Sequence, residues 1–304
     1  MALVQSPLLA LDILIGVRAS QNYTRNSRIP SVLLAFYLGI LDFLTKNLEI
    51  SAKLTDLKKI KGVKMSLYNR NMPQNNYESS AFGGAFEQSA QREATSARAT
   101  FVKQTYQLLA ASLLAATAGA YIGTNSASLL SGGAYWIAVI AEFACLFGLM
   151  FARKNAKLAL ILLFAFTFIS GLVLGPTLAR YIGAGMGNVI TQAFLMTTVA
   201  FGGLSVFAMN TKRDFSAMGK FLFIALIVIV VASLINIFVG SSMLSLAVSG
   251  AGALIFSAYI LYDTQNIIRG AYDSPVLAAV SLYLDILNLF ISLLHILGAL
   301  NNNK

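Results

Sequence analysis

From residue 102 onward the chain repeats one pattern: apolar stretches of bilayer-spanning length, separated by short polar breaks. A transmembrane helix needs about 20 consecutive apolar residues. Seven such stretches are readable, at roughly 102–123, 134–152, 157–179, 189–209, 219–240, 243–264 and 276–299. In lipid every backbone polar group must be satisfied internally, so each stretch is read as a helix. The breaks GTNSASLLSGG, ARKNAK, ARYIGAGMGN, NTKRDFSAMGK, GSSMLS and RGAYDSP carry the Gly, Ser, Asn and basic residues expected of loops. Only 11% of the 304 residues are charged and 57% are hydrophobic. A soluble domain averages about 25% charged. The fold class is therefore all-α, a polytopic membrane protein with seven transmembrane helices.

A net charge of +10 in a soluble chain would point to nucleic acid. Here the charges lie between the apolar stretches and set orientation instead, with no nucleic-acid partner implied. Arg92, Arg98, Lys103, Arg153, Lys154, Lys157, Lys212, Arg213, Lys220 and Arg269 all fall on one side, against Arg180 and Lys304 on the other. That bias predicts an N-terminus in the cytoplasm of a multi-pass protein. Seven spans then put the C-terminus outside; a re-entrant last segment would reverse it. Cys145 is the single cysteine, so no intramolecular disulfide or paired-thiol chemistry is available. His295 is the single histidine, which excludes histidine-rich metal sites.

Ahead of the spans, residues 65–101 are rich in Asn, Gln, Ser and Gly and read as a mobile polar cytoplasmic tail. Residues 1–64 hold two apolar patches, LLALDILIGV and SVLLAFYLGILDFL, each interrupted by an aspartate and short for a span. The first lacks the basic region and cleavage site of a signal peptide. These residues are either an N-terminal extension or a misassigned start, with translation beginning at Met65. Lys61-Gly62-Val63-Lys64 can be encoded with a GGAG ribosome-binding sequence about five nucleotides before the Met65 codon.

The chemistry is carried by acids placed inside apolar segments. Asp263 lies in ALIFSAYILYDTQNIIRG and Asp285 in VLAAVSLYLDILNLFISLLHILG, and the midpoint of their numbers is Ser274, inside the break between them. A hairpin at that break brings the two carboxyls to a similar depth. An intramembrane carboxylate costs about 2.5–3.5 kcal/mol on insertion scales, so two at one depth mark a functional site. Facing carboxylates cannot both ionise cheaply; such a pair shares a proton when closed and binds a cation when deprotonated. Calcium, which takes oxygen ligands, fits the pair. The bland alternative is that each aspartate bonds a helix and locks packing. Glu142 and Arg153 lie eleven residues apart in the second span, on one face and about 16 Å from each other, at different depths of a pathway. Arg153 is equally an anchor at the membrane surface. His295, ten residues beyond Asp285, is a titratable group towards the outer end of the last span, read either as packing or as part of the gating network. Tyr259, Tyr262, Tyr272 and Tyr283 flank the aspartates and can donate to them. Gly202-Gly203 and Gly250-Ala251-Gly252 are expected to allow close helix packing. No nucleophile constellation or nucleotide loop is present in the spans, so neither an enzyme nor a bound cofactor is expected.

The block SAYILYDTQNIIRG followed by SLYLDILNLFISLLHILG resembles the Bax inhibitor-1 family, the transmembrane Bax-inhibitor-motif proteins, over about residue 92 to the C-terminus. The resemblance implies a seven-helix bundle with six helices wrapped around a central last helix. It also implies a pH-sensitive calcium leak whose di-aspartyl sensor matches Asp263 and Asp285. An acidic residue and a basic latch on the second helix of bacterial members match Glu142 and Arg153 by placement and spacing. Family members commonly carry Arg where this chain has His295, so an outer contact there becomes pH-dependent. Residues 1–64 have no counterpart in the family, which favours a start at Met65. The expected function is a passive calcium leak gated by protonation of the aspartate pair. The alternative from another class is a non-conducting regulator of a membrane-anchored ATP-dependent protease or other membrane partner. A third reading, a proton-coupled transporter, lacks the clear internal repeat such proteins use.

Overall fold

The computed structural model describes residues 78–152 and 155–302. Within them lie seven helices: α1 Glu78–Asn125, α2 Gly133–Phe151, α3 Ala156–Gly183, α4 Gly187–Asn210, α5 Met218–Val239, α6 Ser242–Arg269 and α7 Pro275–Asn302. All seven are long and apolar enough to cross a membrane. At 28 residues α7 is about 42 Å long, which is ample for a full span. Residues 1–64, the Met65 start and Arg153 lie outside the described residues.

The helix ends follow local chemistry. Asn155 caps α3 by accepting from the Leu158 amide at 3.2 Å, and Ser241 caps α6 by accepting from the Leu244 amide at 3.3 Å. Gly270, at φ +73°, closes α6 in the left-handed conformation that a side chain disfavours. Five residues later Pro275 opens α7, where its missing N–H breaks no helical bond. The tight turn makes α6 and α7 an antiparallel hairpin, and this is what brings Asp263 and Asp285 together. At the other end of the chain, α1 extends back through the polar segment to Glu78. That stretch differs from the unstructured tail read from composition, because Ala, Gln, Glu and Arg between Glu87 and Ala99 are strong helix formers.

The bundle places α7 inside and its most apolar helix, α5, outside. In α7, 89% of the spanning window is buried, against 28% in α5. Fifteen consecutive residues of α7, Ala278–Ser292, are buried on every face. They pack against α1, α3, α4 and α6. Phe290 stacks on Phe194 of α4 at 4.4 Å, and Tyr283 meets Phe166 of α3 edge-on at 5.8 Å. Lipid tails are as apolar as leucine, so Phe221, Ile224, Val228 and Phe238 of α5 lose nothing by facing them. Hydroxyls inside the bundle are satisfied locally: Thr124, Thr167, Thr197 and Ser249 each donate to the carbonyl four residues back.

The closest helix pair is α1 with α3, and the small residues that permit it are not the ones expected. Gly119 and Gly123 on α1 face Gly171 and Gly175 on α3. A Cβ on Gly171 would overlap the Ala116 carbonyl, and one on Gly175 would overlap the backbone of Gly123. Pro176 leaves the Leu172 carbonyl without its helical donor, and that oxygen sits directly over Gly123. The expected Gly203 and Gly250 face open space instead, so neither holds a helix contact. Gly252 does: a Cβ there would lie 2.7 Å from the Ser292 hydroxyl of α7.

The α4–α5 loop is clasped to the end of α6. Gln265 accepts from the Phe215 amide at 3.0 Å and donates to the Arg213 carbonyl at 2.8 Å, while Arg269 pairs with Asp214. The Arg269 guanidinium, with the amide and hydroxyl of Ser216, holds the Asp214 carboxyl down at about 2. A depressed carboxyl contributes stability above its unfolded value near 3.8 and loses it only as pH falls towards 2. The ion pair is therefore constant across the neutral range and adds nothing to a pH response there. Gln265→Leu should release the loop at a cost of about 1 kcal/mol in denaturation of the purified protein, because two part-buried hydrogen bonds to the loop backbone are lost. Arg269→Ala, at an exposed pair, should change it far less.

Candidate functional site

The buried polar residues of α7 fall on one line. Ser281, Asp285, Asn288, Ser292 and His295 are spaced 4, 3, 4 and 3, which keeps them within about 80° of the helix circumference. Ser281, Asp285, Asn288 and Ser292 are buried, and His295 is half-buried. On α6 the same spacing runs through Asp263, Tyr259, Phe256, Gly252, Ser249, Ser245 and Ser242. The two lines belong to the extensively packed α6–α7 pair and meet at Asp263 with Asp285 and at Gly252 with Ser292. The result is a polar seam through an apolar bundle, with the aspartates nearer the end that carries the basic loops and His295 nearer the other.

Asp263 and Asp285 are in hydrogen-bonding contact, 3% and 0% exposed. Asp263 also meets the Tyr272 hydroxyl and the Asn266 side chain. Tyr272 stands in the turn between the helices, where burial and the neighbouring Asp263 push its hydroxyl up, so it stays a donor. It bonds Ser281 as well, tying the turn to the start of the seam. Tyr259 lies beside both aspartates. Its ring stacks on Phe256 at 6.1 Å, and both are fully buried, so these two rings fill the seam just beyond the carboxyls.

The other expected residues are placed elsewhere. Tyr262 turns away to Gly219 of α5. Tyr283 donates to the Ser170 hydroxyl of α3 at 2.9 Å, and Ser170 also contacts the Glu142 carboxyl of α2. Glu142 is buried, and its Oε2 has no hydrogen-bond partner among the described residues. It does not join the aspartates as a third ligand: no three of His, Cys, Asp and Glu cluster among the described residues. Glu142, Ser170 and Tyr283 form a separate polar chain reaching α7 from the α2–α3 side. Arg269 pairs with Asp214 rather than with Asp263. Sequence reading by single charged residues missed Asn288, Ser292, Ser249 and Ser170. The signal that could have found the first three is the repeated 4–3 spacing of polar residues in α6 and α7; Ser170 of α3 belongs to neither line.

Residues 98–302 match the family described as Inhibitor of apoptosis-promoting Bax1. The chain belongs to the Bax inhibitor family. As a Bax inhibitor family protein it has close bacterial relatives. An uncharacterized protein of Helicobacter pylori is 51% identical over 235 residues, 77% of this chain and 97% of the relative. An uncharacterized protein of Campylobacter jejuni is 56% identical over 206 residues, 66% of this chain and 89% of the relative. The Escherichia coli K12 protein named Modulator of FtsH protease YccA is 39% identical over 163 residues, 53% of this chain and 74% of that protein.

In this Bax inhibitor family protein the Tyr283–Ser170 bond is expected to couple the two polar chains. A double-mutant cycle of Tyr283→Phe and Ser170→Ala should give a coupling of about 1 kcal/mol in thermal unfolding. Additive effects would show that the hydroxyls are satisfied independently.

Proposed function

We propose that the protein is a passive calcium leak of the bacterial inner membrane, gated by the Asp263–Asp285 pair. The observation that supports this best is the contact of two buried carboxyls between α6 and the central helix α7, inside a polar seam and surrounded by hydroxyl and amide groups. On the positive-inside bias the N-terminus and the α6–α7 turn lie in the cytoplasm, and α7 ends outside. With one proton shared between them, the carboxyls join α6 to α7, and the Phe256 and Tyr259 rings fill the seam. When that proton leaves, two like charges in a poorly solvated site repel each other, and either helix separation or a cation relieves them. Calcium takes six to eight oxygens, so two carboxylates with hydroxyls and water bind it loosely enough to pass it on. No catalytic step and no resident cofactor enter this reading. Liposomes carrying the purified protein should take up calcium down its gradient faster than empty ones; equal rates would refute the leak. Phe256→Ala should raise the rate further by clearing the seam.

A second reading is favoured by the relative named Modulator of FtsH protease YccA. Here the chain regulates a membrane-anchored ATP-dependent protease, through the residues ahead of its first span, which begins at Glu93. Deleting residues 66–92 separates the two. Loss of control over proteolysis with calcium flux intact assigns the regulation to that segment. Flux lost with proteolysis unaltered excludes it.

A further inference from the structure

Three cations stand together in sequence where α4 passes into α5: Lys212 and Arg213 in the loop and Lys220 in the first turn of α5, all exposed. The acid among them is already engaged, since Asp214 pairs with Arg269 and accepts from the Ser216 amide at 2.8 Å. None of the three cations has an ion pair among the described residues. The loop that carries Lys212 and Arg213 is fixed, because Gln265 of α6 holds it by the Phe215 amide and the Arg213 carbonyl. Its charges are therefore displayed from a positioned backbone. α5 begins at Ala217 without a side-chain cap, so the positive end of its dipole adds to the same field. On the positive-inside bias this corner lies at the cytoplasmic surface of the membrane.

Beyond the charges, α5 faces lipid with the smallest buried share of the seven spans. Its buried residues Gly219, Leu222, Leu226, Ile229, Ser233 and Asn236 form one narrow line, and α6 is the helix it packs on extensively. On the open side, Lys220, Ile224, Ile227 and Val231 are spaced 4, 3 and 4, which keeps them within about 60° of the helix circumference. All four are exposed, and Phe221 beside them is too. A cation at the end of a lipid-facing apolar stripe matches a phospholipid. The phosphate meets the charged end, and an acyl chain continues along Ile224, Ile227 and Val231.

The charges also select the headgroup. A zwitterionic headgroup brings its own cation beside the phosphate, which three uncompensated cations oppose. A headgroup with net negative charge meets no such opposition. The guanidinium of Arg213 presents a planar fork that matches two phosphate oxygens, and the lysines add point charges. The start of α3 is a useful contrast: Lys157 lies in its first turn, but Asn155 caps that helix by accepting from the Leu158 amide.

We propose that the α4–α5 corner binds the headgroup of an anionic phospholipid of the inner leaflet, with Arg213 and Lys220 as its principal ligands and Lys212 as a further charge. The site shares no residue with the polar seam of α6 and α7, and its occupancy does not depend on whether calcium passes.

The test uses the full chain purified in detergent, with dioctanoyl phosphatidylglycerol and dioctanoyl phosphatidylcholine as probes and native mass spectrometry to read bound lipid. Phosphatidylglycerol should bind, with phosphatidylcholine markedly weaker. Arg213→Gln/Lys220→Gln changes two exposed side chains, so its melting temperature without lipid should match the wild type. It should weaken phosphatidylglycerol binding about tenfold or more, the loss expected for two cations near an anionic headgroup. Lys103→Gln/Lys157→Gln removes the same charge from exposed positions on the same side and should leave binding nearly unchanged. Equal losses in the two variants would overturn the site in favour of a general attraction of the basic surface. Phosphatidylcholine bound as strongly as phosphatidylglycerol would overturn the headgroup selection. Phosphatidylglycerol binding unchanged in Arg213→Gln/Lys220→Gln would overturn the lipid assignment and favour an acidic protein partner on this patch.

Discussion

Asp285→Asn should leave a folded protein whose calcium flux no longer responds to pH. Asparagine keeps the shape of the side chain and can still bond Asp263, so the α6–α7 contact survives. What it removes is the second ionisable carboxyl, and with it the like-charge repulsion that only a pair can develop. Flux through the wild type should rise as the pair loses its shared proton, whereas the variant should give a flat profile across neutrality. The Arg269–Asp214 pair cannot substitute for this response, because Asp214 is held down at about 2 and stays ionised throughout. A variant that keeps the wild-type profile would move the sensor elsewhere, with Glu142 and its contacts Ser170 and Tyr283 the next group to examine.

The largest effect on stability should come from a residue that carries no charge. Gly171→Val places a Cβ where the Ala116 carbonyl of α1 already lies. The obstacle is backbone, not a flexible side chain, so only separation of α1 from α3 can relieve it. Overpacking commonly costs about 1–3 kcal/mol, and a clash with backbone in the most closely packed helix pair should reach the top of that range or exceed it. Thermal unfolding in detergent should show a strongly lowered melting temperature or no folded protein. Gly203→Ala is the matched control, since nothing lies within 4 Å of the added carbon, and should be neutral. Equal melting temperatures for Gly171→Val and wild type would contradict the packing.

The spans were legible because a bilayer imposes one length and one satisfied backbone, and the observed helices begin and end within a few residues of the apolar stretches. α1 is the exception, since its propensity-driven extension to Glu78 contains few apolar residues. The hairpin of Asp263 and Asp285 was legible from number alone, as the turn at 270–274 is too short to permit another arrangement. Partners across non-adjacent helices were not. Nothing local in α3 announces that Ser170 meets both Glu142 and Tyr283, or that Tyr262 faces α5 while Tyr259 faces the aspartates. Glu142 was read from its depth as lining a pathway, but depth does not fix which neighbours a helix face meets, and Glu142 lies beside Ser170 rather than the aspartates. The glycines were legible in part: Gly252 meets α7 and Gly202 is buried, but Gly203 and Gly250 face open space, and the closest helix pair uses the i, i+4 spacing of Gly119–Gly123 and Gly171–Gly175.

The central claim is that a proton shared by Asp263 and Asp285 controls calcium passage. Its most direct measurement is calcium uptake by proteoliposomes on the acid and alkaline sides of neutrality, for wild type beside Asp263→Asn/Asp285→Asn. The account predicts a wild-type rate that rises with pH and a double variant whose rate is the same on both sides. The same pH dependence in both proteins, or uptake no faster than in empty liposomes, would contradict it.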